Sequence, residues 1–197
     1  MTGHLPKADE VRIGGGELLL SFFEEASRMR AERLVVLSPY VDDGAFADPA
    51  LTSSWKRASA LGENIVVVRT AQAAEAVLRA MQSGHRRCNL RLNPKLHAKV
   101  FVAWRHGAEI ALVGSHNLTG AALHTNEEIG ILIKPATNAT RAIVWQLRAA
   151  VDAVVRASDT YRANTNPSDT GPRSRSNGSL QRSRNVFDRA SPRGSVV

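Results

Sequence analysis

The residues able to do chemistry cluster between positions 96 and 128. His97 and Lys99 stand two apart, Ser115 and Asn117 stand two apart, and the acidic pair Glu127 and Glu128 follows. A β-strand sends residues i and i+2 to one face. Two neighbouring strands carrying these pairs would bring an imidazole, an ammonium, a hydroxyl and an amide to one spot. That is a nucleophile among oxyanion-stabilising donors, a set suited to chemistry on a phosphate.

The elements that must hold these groups read from hydrophobic periodicity. Helical spacing covers residues 17–30, 51–61, 71–82 and 138–157. Apolar runs at 33–41, 64–70, 88–93 and 128–134 read as strands, the first stopped by Ser38-Pro39 and the third by Pro94. Residues 97–104 and 109–115 read as a hairpin joined through Arg105 to Ala108, a turn about three residues longer than the tightest kind. Strands alternating with helices and then a hairpin predict an α/β domain, a mixed β-sheet flanked by helices. Gly14, Gly15 and Gly16 lack the Lys-Ser/Thr ending of a phosphate loop and read as the hinge into the first helix.

The pattern H-x-K, then G-S-x-N, then Glu resembles the phospholipase D (HKD) superfamily. His97, Lys99, Gly114, Ser115, Asn117 and Glu128 carry the resemblance, with Asn126 two before the carboxylate and the upstream SPYVDDGAF also similar. His-x-Lys alone recurs by chance in many chains; followed by GSxN and a Glu eleven residues after Asn117, it is specific. The resemblance spans most of residues 15–157 and implies a phospholipase D-like αβα sandwich.

It also implies a mechanism with His97, Lys99, Ser115, Asn117 and Glu128 as catalytic residues. A neutral imidazole attacks phosphorus and forms a covalent phosphohistidine. The ammonium, amide and hydroxyl stabilise the non-bridging oxygens. A carboxylate beside the imidazole fixes its tautomer. No metal or other cofactor is required. Arg86, Arg87 and His124 are candidate substrate contacts. The family's Asp, five residues after the Lys, is replaced by Trp104, which is expected to pack on the core or a dimer surface.

The family mechanism uses two histidines, and this chain has one His-x-Lys. A two-fold homodimer sharing one site is therefore expected. His116, between Ser115 and Asn117, points the other way on a strand and reads as structural. Asp42 and Asp43 read as a strand-end loop rather than a magnesium site.

Composition narrows the partners. Net charge is +8, and residues 158–197 hold seven Arg, no Lys and three Asp, a net of +4. A basic chain favours polyanions. Residues 1–157 therefore read as the catalytic domain, and 158–197 as a basic, Ser/Arg-rich disordered tail that tethers nucleic acid. No stretch approaches the roughly 18 apolar residues of a membrane span, and MTGHLPKADEVR lacks a signal-peptide core. A cytoplasmic protein without membrane contact is expected. Cys88 is the sole cysteine, so there is no disulfide framework, and it reads as a small core residue.

The leading expectation is a metal-independent nuclease acting on DNA in preference to RNA. Similar small proteins occur beside bacterial restriction and phage-defence systems, so larger defence proteins are candidate partners by analogy. The alternatives are a phospholipase or phosphatidyltransferase, and a nucleic-acid-binding subunit with a vestigial site.

Overall fold

The computed structural model describes residues 10–60, 62–82 and 88–162. Eight strands form one mixed sheet: β1 (Glu10–Gly14), β2 (Arg33–Leu37), β3 (Glu63–Val68), β4 (Asn89–Leu92), β5 (Val100–Arg105), β6 (Ala108–Gly114), β7 (Gly130–Lys134) and β8 (Asp159–Thr160). Their spatial order is β1-β7-β6-β5-β2-β3-β4-β8. β2, β3 and β4 run parallel; the remaining pairings are antiparallel. Among the described residues the helices are α1 (Glu17–Arg28), α2 (Asp43–Ala47), α3 (Pro49–Ala58), α4 (Ala71–Gln82), α5 (Gly120–His124) and α6 (Asn138–Arg156).

The parallel strands are apolar on both faces because helices cover both. On one side Phe22 and Phe23 of α1, Trp55 of α3 and Phe101 of β5 form a buried aromatic cluster, with ring centroids 4.9 to 6.1 Å apart. On the other, Val144, Val151 and Val155 of α6 pack on Val35, Val67 and Val102. Cys88 packs against the first cluster, and burial pushes its thiol up to about 12. It packs against the core as the small residue expected.

Three differences from the sequence reading bear on the site. The helix expected at 51–61 begins at Pro49 and ends at Ala58, and the short α2 precedes it. Both starts are capped by aspartate: Asp42 accepts from Ala45 N at 3.0 Å and Asp48 from Leu51 N at 2.8 Å. The β5–β6 turn is short, because Arg105 pairs with Ala108 and only His106 and Gly107 lie between. Gly107 has φ +79° and follows His106 of ordinary φ, the position a type II turn gives to glycine. The extra length inferred from the sequence is strand, not loop. Finally, the sheet runs past the expected boundary at residue 157. Arg91 and Leu92 of β4 pair with β8, and Tyr161 N donates to Leu90 O at 2.9 Å. Most of the tail expected at 158–197 lies outside the described residues, as do Arg86 and Arg87.

Candidate active site

Strand register brings the motif residues to one end of the sheet. Val100 of β5 sits opposite Val113 of β6, and Gly114 of β6 opposite Gly130 of β7. Gly114 N also donates to Lys99 O at 3.4 Å. His97 to Lys99 therefore enter β5, Ser115 to Asn117 leave β6, and Glu128 enters β7, all at the same edge. The two pairs do not share a strand face. β5 begins after Lys99 and β6 ends before Ser115, so both pairs sit on strand-end loops rather than on strands. Convergence comes from adjacent strand ends, not from pleat alternation.

Within this edge the contacts are specific. Ser115 Oγ donates to Glu128 Oε2. Asn126 Nδ2 donates to the other carboxylate oxygen at 3.2 Å, and Ile129 N donates to Ser115 Oγ at 3.0 Å. Lys99 Nζ folds back onto His97 O at 3.3 Å. The His97 ring is exposed and has no hydrogen-bond partner among the described residues. The tautomer-fixing contact expected between Glu128 and His97 is thus not made within one chain. Glu128 holds Ser115 and Asn126 instead. Asn117 Oδ1 is buried without a hydrogen-bond partner. His124 lies on α5, where its Nε2 is 3.2 Å from Asp48 Oδ2.

The loop after β2 clamps the loop after β6. Ser38 Oγ accepts from Leu118 N at 2.8 Å and donates to Tyr40 O at 2.7 Å. Asp42 Oδ1 accepts from Gly120 N at 2.9 Å as well as from its own helix. Asp43 pairs with Arg79 at 2.8 Å. Asp42 thus shapes the backbone after Asn117, while Asp43 ties α2 to α4. On the other flank His116 is fully buried, and its Nε2 donates to Gly15 O at 2.6 Å. That bond pins the hinge before α1 to the motif loop, a structural contact made from a loop and not from the opposite face of a strand.

Sequence reasoning missed two basic groups at this edge. Arg69 follows β3, and its guanidinium lies 3.5 Å from the Tyr40 hydroxyl. Lys95 is exposed in the turn after β4. Neither belongs to a motif; Lys95 precedes His97 by two residues, and the pairing of β3 with β2 and of β2 with β5 puts Arg69 at the same edge. Trp104 lies at the opposite end of β5, with the Arg33 and Arg148 guanidiniums 5.0 and 4.3 Å from its ring centroid. It packs on the α6-side core, where an aspartate would have to pair with those cations.

No protein-family model matches this chain, and no curated protein does. Solved structures do. The phospholipase D family member Nuc from Salmonella typhimurium is 19% identical, with a TM-score of 0.55 over 79% of this chain and 100% of that one. The chain has the phospholipase D fold. NucT from Helicobacter pylori is 12% identical, with a TM-score of 0.53 over 78% of this chain and 100% of that one. No helix of the described residues is long and apolar enough to cross a membrane.

Proposed function

We propose that the protein is a metal-independent phosphodiesterase that cuts nucleic acid, DNA in preference to RNA, through a phosphohistidine on His97. The observation that carries this reading is the common edge of β5, β6 and β7, from which His97-x-Lys99, Ser115-x-Asn117 and Glu128 all emerge. An imidazole nitrogen of His97 attacks phosphorus, a P–N bond forms, and the P–O bond to the leaving group breaks. A second imidazole gives its proton to the leaving oxygen, then takes a proton from the water that cleaves the P–N bond. Lys99 and Asn117 face the developing charge on the non-bridging oxygens. The resemblance supplies these roles; the open His97 ring agrees with them.

The second imidazole comes from a second copy of the chain. Two features support this. The described residues hold one His-x-Lys, and the sheet has a bare apolar corner beside the site. α6 starts beyond the far end of β7 and crosses toward β4, where Arg91 donates to Val155 O at 2.9 Å. The site end of β1 and β7 is left uncovered: Ile13, Ile129 and Ile131 are 71%, 68% and 42% exposed. The charge of the chain, with Arg69 and Lys95 at this edge, agrees with a polyanionic substrate.

The test is cleavage of plasmid DNA, RNA and phosphatidylcholine vesicles in EDTA, with His97→Ala beside wild type. Wild-type cleavage of DNA that His97→Ala lacks is expected. Lipid hydrolysis without nucleic-acid cleavage, or equal cleavage by both proteins, contradicts the reading.

A further inference from the structure

A second surface feature lies at the far end of the same strands. Between the β5–β6 turn and the first half of α6 is a depression of about 710 Å³. Trp104, Arg105, His106, Arg141, Trp145 and Arg148 line it. Trp104 lies five residues beyond Lys99 along β5, roughly 17 Å from the His97 edge at about 3.4 Å per residue. The depression is therefore distinct from the candidate active site.

Its chemistry is uneven in a telling way. Both acidic groups of the lining are already paired: Glu109 with Arg148, and Glu32 with Arg105 at 3.6 Å. Arg141 and His106 have no acidic partner among the described residues. Trp104 is covered by the guanidiniums of Arg33 and Arg148. Trp145 is not covered. It is 69% exposed, the second most exposed large apolar side chain described after Ile13. Arg141 lies one helical turn before it on α6, on the same face. An indole with no core to bury it, beside a cation with no anion to meet it, has the two components of a single-strand platform. Bases stack on the ring, and a phosphate meets the guanidinium.

We propose that this depression binds single-stranded nucleic acid, with a base stacked on Trp145 and the adjoining phosphate on Arg141. It is an exosite that holds a strand while the His97 edge works on another part of the polymer. The inference rests on the nucleic-acid part of the proposed function and not on its chemistry. A duplex keeps its bases stacked on one another, so Trp145 selects single strands or duplex ends.

The experiment uses the full chain and needs no turnover. A fluorescein-labelled thymidine 15-mer is titrated against His97→Ala, which cannot cut it, and against Trp145→Ala and Arg141→Ala made in that background. A 15-mer carrying 5-bromodeoxyuridine is photocrosslinked and the adduct mapped. Trp145→Ala is expected to weaken binding about tenfold relative to the parent, in the range of one lost base stack, with Arg141→Ala a few-fold weaker. The crosslink is expected on Trp145. Unchanged affinity in Trp145→Ala, crosslinks confined to other segments, or thymidine monophosphate binding as tightly as the 15-mer would each overturn the proposal. Failure of catalysis with normal Trp145-dependent binding would count against the phosphodiesterase reading alone. Circular dichroism and melting of Trp145→Phe and Trp145→Ala check folding; the exposed site predicts little change in either.

Discussion

Ser115 and Glu128, thirteen residues apart in the chain, are joined directly: the hydroxyl donates to Glu128 Oε2. The bond links the end of β6 to the entry of β7, and Ile129 N closes it from the other side at 3.0 Å. Ser115 is thereby oriented by the carboxylate. Its one proton is spent on Glu128, so Ser115→Ala is expected to lower kcat by less than the roughly 10²-fold of a lost oxyanion donor. Glu128→Gln keeps an acceptor for the hydroxyl but removes the charge. It is expected to lower kcat while leaving the melting temperature near wild type. Steady-state kinetics on an oligonucleotide, with melting curves alongside, check both.

His116 and Gly130 make a second close relationship. A Cβ built on Gly130 would lie 2.5 Å from His116 Cε1 and 2.8 Å from its Nδ1. Real side chains do not tolerate such contacts, and the ring cannot retreat because Gly15 O holds its Nε2. Gly130→Ala is expected to destabilise by about 1–3 kcal/mol, the cost of overpacking. His116→Ala alone also destabilises, by leaving a cavity and an orphaned carbonyl. The double variant Gly130→Ala/His116→Ala is expected to be less unstable than the sum of the two. Urea unfolding of the four proteins measures the coupling, and simple additivity would refute the steric account.

α1 ends in a Schellman turn, with Arg30 N donating to Ser27 O and Ala31 N to Ala26 O. Arg30 occupies the left-handed position at φ 54°. A non-glycine residue there costs roughly 1–2 kcal/mol. Arg30→Gly is expected to raise the unfolding free energy by about 1 kcal/mol, net of glycine's greater freedom in the unfolded chain. A lower denaturation midpoint would contradict this.

Glu25 anchors α1 to β7. Burial raises its pKa, but the hydrogen bond and charge of Lys134, with Arg28, outweigh that and leave it below 4.5. A carboxyl lowered on folding contributes stability above its unfolded pKa and loses it as pH falls through the folded one. The contribution should be intact at neutral pH and fade below about pH 4.5. Glu25→Gln is expected to be less stable at pH 7 and to converge on wild type in acid. Urea midpoints between pH 7 and pH 3 follow this; a gap that persists in acid would point to packing instead of charge.

Much of this was legible in the chain, for identifiable reasons. α4 runs Ala71–Gln82 as its apolar period predicts, and β3 reads directly from IVVV. The motif residues were legible because their types are rare in combination. Their geometry was not: pleat alternation was the wrong reason for the convergence of His97 and Ser115, since strand ends and register depend on partners distant in sequence. α2 was missed because five residues carry no measurable period, although Asp42 was a visible cap. Arg69 and the Trp145 depression carry no local signal at all. They become neighbours of a site only when strand order is known.

The central claim is a covalent bond between His97 and phosphorus, formed without metal. Rapid quench of the protein with an oligonucleotide in EDTA, followed by alkaline digestion-compatible peptide mapping and mass spectrometry, tests it directly. The account predicts a phosphoryl-linked nucleotide adduct on the peptide containing His97, transient in wild type and absent from His97→Ala, which does not turn over. Metal-free cleavage by His97→Ala, or wild-type turnover with no adduct on His97 at any quench time, would contradict it.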